Sequence, residues 1–269
     1  MSKYDIYLLE NSRVLKNKLG IENEAALDKA ESIMANTKMA LLYNSSFSDF
    51  SPSGVCKIHK AIFGDVYEWA GEYRIINVQK REAILAGKSV WYSNWEDIDR
   101  DLKAAWQKID TVDWTHLSHN DFAKSVARLF PAIWQTHPFR EGNTRTVVML
   151  IALFAEQYGY YFDYELMAAS AGYVRNAFVL CCFGEHSEFE HLEKILCDSI
   201  SAEPIEDSDE HEIIAEEKSS KYEKYHTKDY KPTPHEYFEG RKMQRDCLTD
   251  GCFITVYLTN FCTAFLTHF

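Results

Sequence analysis

A chain of 269 residues can bury roughly three quarters of its unfolded surface, enough for one large domain or a domain with an appendage. Its 46% hydrophobic content, with 16 Tyr and 16 Phe, excludes a chain disordered throughout. A net charge of -12 argues against nonspecific binding to nucleic acid or to anionic lipid, both of which need a basic footprint. The 7 Cys are odd in number and none forms a Cys-x-x-Cys pair, so reduced, mostly buried thiols are expected rather than a disulfide framework or a zinc site. No apolar run with basic flanks opens the chain, which reads as cytoplasmic with no signal peptide.

In chain order, Tyr4 to Gly20 is a short leader. Asn23 to Leu42 reads as a helix capped by Asn23, with Ala26, Ala30, Ile33, Met34 and Leu41 on its core side and Glu31 and Lys38 facing water. Ser53 to Phe63 is a second helix that stops at Gly64. Between Trp69 and Tyr92 the pattern changes: Glu72 to Val78 and Ala83 to Ala86 are short apolar runs either side of Lys80-Arg81-Glu82, which suggests a small β-hairpin, with an irregular loop as the alternative. Helices follow at Asn94 to Ile109, Asp121 to Trp134, Thr146 to Tyr158, Tyr164 to Phe178 and Glu188 to Ile200. Beyond Ser201 the segment Glu203 to Glu217 is a like-charge acidic block of the kind that is solvated, and it is read as a linker over 202–217. The remaining 218–269 ends in an apolar, β-branched run, Phe253 to Leu258, that is compatible with a strand, a packed helix or no stable structure. The interruptions at Thr255, Thr259 and Asn260 argue against a transmembrane helix. The pairs His116 with His119 and His186 with His191 lack a completing carboxylate or Cys and read as surface or cap residues.

Chemistry concentrates in His137-Pro138-Phe139-Arg140-Glu141-Gly142-Asn143-Thr144-Arg145. The helix that leaves this stretch begins just after Gly142 and Asn143. The first N–H groups of a helix have no internal partner and the macrodipole is positive there, so the loop is suited to polyphosphate. His137 can take a proton near neutral pH, Glu141 is a hard oxygen ligand suited to Mg²⁺, and Arg145 is a permanent cation shaped for phosphate. Each alone has a bland reading as a turn residue or a solvated charge. Their concurrence within nine residues does not.

The order resembles the Fic family motif, His-x-Phe-x-Asp/Glu-Gly-Asn-x-Arg, and Phe63 to Arg74 looks like that family's lead-in to a two-stranded flap. The resemblance spans about Tyr7 to Ile200 and implies an all-α fold, a Fic-type helical bundle over 1–201 with a small β-hairpin flap beside the active-site loop. It further implies transfer of AMP from ATP to a Tyr, Thr or Ser hydroxyl of a protein. In that scheme His137 is the base and Glu141 holds Mg²⁺. Gly142, Asn143, Thr144 and Arg145 bind phosphate, with the Asn143 side chain also reaching it. Phe139 anchors the loop, and Val78, Gln79 and Lys80 on the flap dock the target by β-augmentation.

Two departures stand out. Thr144 replaces the commonest Gly, and Val148 replaces the second Arg that in many members holds the γ-phosphate. Either ATP binds in a looser or altered pose or Arg175 stands in; Arg175 and Asn176 are candidate pocket residues, with a surface position as the alternative. The family's inhibitory pattern, Ser/Thr-x-x-x-Glu-Gly/Asn, is incomplete at Ser199 to Glu203, Ser208 to Glu212 and Ser219 to Glu223. Restraint is therefore expected from a separate small antitoxin-like protein or from limited target access. Two alternatives remain open: the same fold using another nucleotide donor, and a noncatalytic nucleotide-binding module.

Overall fold

The computed structural model describes residues 5–205 and 224–225. The expected acidic linker and C-terminal run, including Phe253 to Leu258, Glu212 and Glu223, lie almost wholly outside those residues.

Capping chemistry sets four of the α-helix starts among the described residues. In α1 (Glu24–Tyr43) the Asn23 side chain accepts from Ala26 N–H, and in α2 (Pro52–Phe63) the Ser51 hydroxyl accepts from Gly54 N–H with Pro52 in the first turn. A 3₁₀ turn over Trp95–Asp97 leads into α3 (Ile98–Ile109). The single helix expected over Asp121 to Trp134 is instead two, α4 (His119–Leu129) and α5 (Pro131–Thr136). Pro131 has no N–H to continue the α4 ladder and starts the next helix at its first position. Likewise Tyr164 to Phe178 divides at Ser170 into α7 (Tyr164–Ala169) and α8 (Ala171–Cys181). Between α5 and α7 runs α6 (Asn143–Gln157), and α9 (Glu190–Ser199) closes the bundle. A short antiparallel pair, β1 (Tyr161–Phe162) with β2 (Ile200–Ser201), ties the two ends of this half together.

The centre of the bundle is α6. Eleven of its 15 residues are buried, from Asn143 to Ala155, so it is apolar on all sides and the other helices wrap it. Around it Phe122, Phe130, Trp114 and Phe154 pack edge to face or offset, with centroids 5.0 to 6.4 Å apart.

Two sequence expectations need correction. The core face of α1 is Leu27, Glu31, Ala35 and Met39, whereas Ile33 and Leu41 are exposed at 59% and 64%. The buried set recurs every four residues. It includes a carboxylate because a cation waits beneath it, which no apolar periodicity registers. The segment 72–86 lies beside the motif loop as expected, but its pairing differs from two strands. One antiparallel bridge, Glu82 with Lys88, closes a 3₁₀ turn over Ala83–Leu85. The rest is extended chain whose polar groups bond to the bundle: Arg74 N–H donates to Pro138 O (2.8 Å), and Asn77 Oδ1 accepts from Trp95 N–H (2.9 Å).

Candidate active site

The motif loop connects α5 to α6 through two left-handed residues, His137 at φ 47° and Gly142 at φ 82°. At Gly142 both the φ and the space demand glycine, since a Cβ there would lie 2.4 Å from the Phe63 ring. Phe139 is fully buried and stacks on His59, centroids 3.8 Å apart. His59 itself is buried, with Nδ1 accepting from Gly71 N–H (2.8 Å) and Nε2 3.0 Å from Glu141 O. Because Nδ1 accepts, Nε2 carries the proton and donates to that carbonyl. Burial lowers the His59 pKa to about 3, so the ring stays neutral.

Asn143 staples the loop. Its Oδ1 accepts from Phe139 N–H (2.9 Å) and its Nδ2 donates to Phe139 O (2.8 Å). An amide nitrogen carries two N–H donors, so one Nδ2 hydrogen remains beyond the bond to Phe139 O. The backbone N–H groups in the first turn of α6 also have no acceptor inside the helix. Thr144 Oγ1 accepts from the buried Trp134 indole (2.9 Å), a bond that a glycine in its place would forfeit. The Arg145 guanidinium lies 4.6 Å over the Phe63 ring and is bonded by Glu31.

His137 is 2% exposed, and neither ring nitrogen has a hydrogen-bond partner. Tyr92 stacks on it at 4.0 Å and Trp134 meets it edge on at 5.5 Å. Burial first, then the Lys80 charge, holds its pKa well below the ordinary value, so the imidazole is a neutral base at pH 7. Glu141 is about one third exposed, with Oε1 accepting from Gly142 N–H (3.0 Å) and Oε2 3.5 Å from Lys80 Nζ. Burial raises its pKa, but the Lys80 and Arg145 charges and the Gly142 bond outweigh this and keep it ionised. An ionised, partly open carboxylate fits Mg²⁺, which commonly takes one or two protein carboxylates and completes its shell with phosphate and water. Among the described residues no group of three or more His, Cys, Asp or Glu forms a metal cage.

Of the three flap residues, Gln79 is exposed and Val78 half-buried, while Lys80 turns inward with its side chain 13% exposed. Arg175 does come near the site, but its guanidinium is held bidentately by Glu82 (2.6 and 2.9 Å). As a substitute for a cation at position 148 it is already engaged, and Val148 is buried. Sequence reasoning missed Glu31, His59, Glu82 and Tyr92. It also gave no role to Arg74, which is 1% exposed and donates to the carbonyls of His137 (2.8 Å), Ile76 (2.6 Å) and Ser93 (2.5 Å).

Residues 49–155 match the Fic/DOC family model. A probable protein adenylyltransferase of Sinorhizobium fredii, y4lH, is 30% identical over 156 residues, covering 56% of this chain and 76% of that protein. The chain belongs to the Fic/DOC family. The protein adenylyltransferase VbhT of Bartonella schoenbuchensis is 34% identical over 170 residues, 61% of this chain. The match spans 34% of VbhT and 38% of a second adenylyltransferase from Bartonella henselae, so the chain corresponds to about a third of these relatives' length. The fold agrees with the BepC effector of Bartonella tribocorum, solved with bound AMPPNP, at TM-score 0.63 and 20% identity over 74% of this chain and 97% of that one. Among the described residues no helix is long and apolar enough to cross a membrane.

Proposed function

We propose that this Fic protein is a protein adenylyltransferase, moving AMP from ATP to a Tyr, Thr or Ser hydroxyl of a target protein and releasing pyrophosphate. The observation that carries the reading is His137: a buried, neutral imidazole with no protein partner, adjoining a helix N-terminus and a cation. A base left unbonded at a cost in desolvation points to a ligand that completes it.

In this reading His137 accepts the hydroxyl proton as the oxygen attacks the α-phosphorus, and the bond to the pyrophosphate oxygen breaks. The N–H groups at the start of α6 and the Arg145 guanidinium offset the negative charge on the phosphates. Glu141 would hold Mg²⁺, whose charge would neutralise the α- and β-phosphates when bound. Val78, Gln79 and Lys80 would steady the target segment. Such chemistry is expected in a cytoplasm, that of the producing cell or, for a secreted effector, that of another. Val148 leaves an inhibitory Glu no cation at that position, so restraint would fall to a separate small antitoxin-like protein.

The test is incubation of the purified chain and a cell lysate with labelled ATP, UTP, GTP and CDP-choline. Label from ATP should reach protein, with His137→Ala losing transfer while calorimetry still reads ATP binding, and Glu141→Ala losing the Mg²⁺ dependence of that binding. Transfer from another donor alone would replace AMP by that group. Binding with no transfer by the unaltered chain would make this a noncatalytic module.

A further inference from the structure

Glu31 lies outside the motif, on the opposite side of the sequence from it, and is the most deeply buried carboxylate facing Arg145. Its side chain is 7% exposed, whereas the Arg145 side chain is 32% exposed. One Glu31 oxygen accepts from Arg145 Nη2, and the other accepts from the buried Tyr67 hydroxyl (2.9 Å). Tyr67 is fixed in turn by stacking on Trp69, centroids 4.4 Å apart. The carboxylate thus sits on a rigid support, behind the guanidinium, with Phe63 covering one guanidinium face at 4.6 Å. Among the described residues Glu31 is the one hydrogen-bond acceptor that Arg145 has. The side chain is 32% exposed, and its remaining N–H groups are left for an outside acceptor.

We propose that Glu31 is a positioning residue for the phosphate site: through Arg145 Nη2 it sets the orientation in which the other guanidinium N–H groups meet the nucleotide. An unrestrained Arg samples many rotamers, and fixing one removes that entropy cost from nucleotide binding. Burying Glu31 raises its pKa, against which Arg145 pulls downward. A buried ion pair is weak evidence for stability, and the geometry gives this one a direction to impose on the guanidinium. The inference rests on the phosphate-binding reading of Arg145.

The experiment is an ATP titration by calorimetry, independent of any transfer, on the parent chain, Glu31→Ala, Glu31→Gln, Arg145→Ala and the Glu31→Ala/Arg145→Ala double variant, each checked by thermal unfolding. Glu31→Ala should weaken ATP binding about tenfold, the loss of roughly one charged hydrogen bond's worth of orientation. Glu31→Gln, which keeps an acceptor at the same place, should recover most of it. In the Arg145→Ala background Glu31→Ala should add nothing, because its effect runs through that guanidinium. A merely structural role would instead lower affinity equally in both backgrounds. Glu31→Ala binding ATP as tightly as the parent, or more tightly, overturns the proposal while leaving the site reading intact. An Arg145→Ala variant that binds ATP undiminished overturns the site reading, and the proposal with it.

Discussion

His137 and Gly142 are the residues whose local state decides the site. The imidazole is neutral well below the usual histidine range because burial and Lys80 oppose its protonation. A base acts unprotonated, so with His137 in the proposed role the acid limb of kcat is expected below the unperturbed value of about 6.5. Transfer should stay level as pH falls through 6.5 and decline only well below it. A limb centred at 6.5 or above in a pH–rate series would mean that the ring is hydrated and ordinary. Gly142→Ala tests the loop itself. Its left-handed φ and the 2.4 Å approach to Phe63 predict a loss of about 1–3 kcal/mol in urea unfolding, with transfer falling further. An unchanged midpoint would show that the loop yields freely.

At the scale of elements, the motif loop is held from outside by α2 and by the chain leading to the flap. His59 on α2 bonds Glu141 O and Gly71 N–H, and stacks on Phe139. His59→Ala would orphan both backbone groups and open a cavity, at about 2–4 kcal/mol. Its pH signature has a definite sign. The folded pKa is lowered to about 3 against about 6.5 unfolded, so between those values the unfolded chain binds a proton that the folded one refuses. Stability from this group is present above about 6.5 and lost as pH falls towards 3. Urea unfolding at pH 7, 5.5 and 4.5 should therefore lose stability less steeply in His59→Ala than in the parent, His137 contributing equally to both. Parallel slopes would place the folded pKa of His59 near its ordinary value. On the flap side, Arg175 of α8 grips Glu82 bidentately while the Tyr92 hydroxyl lies 3.4 Å from the same carboxylate. Tyr92 stacks on His137, so α8, flap and base form one packed group.

Across the whole molecule, the leader is stitched to the motif rather than trailing from it. Asp5 Oδ2 accepts from both Nε and Nη2 of Arg140 (3.1 and 2.8 Å), each side chain 7% exposed. The Tyr7 hydroxyl accepts from Ile75 N–H (3.1 Å), and Lys18 N–H donates to Val66 O (2.8 Å). Asp5→Ala leaves a buried guanidinium unpaired, which costs about 3–5 kcal/mol. Thermal unfolding should record a clear fall in Tm, with Asp5→Asn in between. A Tm equal to the parent's would mean that Arg140 finds water or another acceptor. Tyr225, beyond the expected end of the domain, also packs on the bundle, its hydroxyl donating to Asp198 (2.6 Å).

The sequence by itself determined the helices and the reactive loop, because both are local. Caps such as Asn23 act within three residues, the apolar repeat of α6 lies within one segment, and the motif places base, carboxylate, glycine and arginine within nine positions. The α1 face escaped it, since Ile33 and Leu41 are apolar yet exposed and Glu31 is charged yet buried. What only the tertiary structure decided is who holds the motif. Arg145 meets Glu31 across 114 residues of sequence, Arg140 meets Asp5 across 135, and Arg175 meets Glu82 across 93. A lone charge reads as solvated until the fold supplies its partner, because the desolvation that makes burial unfavourable is offset only by a contact formed after folding. The flap's single bridge has the same origin. Its backbone groups find partners elsewhere, Arg74 N–H donating to Pro138 O, Ile75 N–H to the Tyr7 hydroxyl, and Ile76 O accepting from the Arg74 guanidinium, and that competition is invisible in a two-residue alternation.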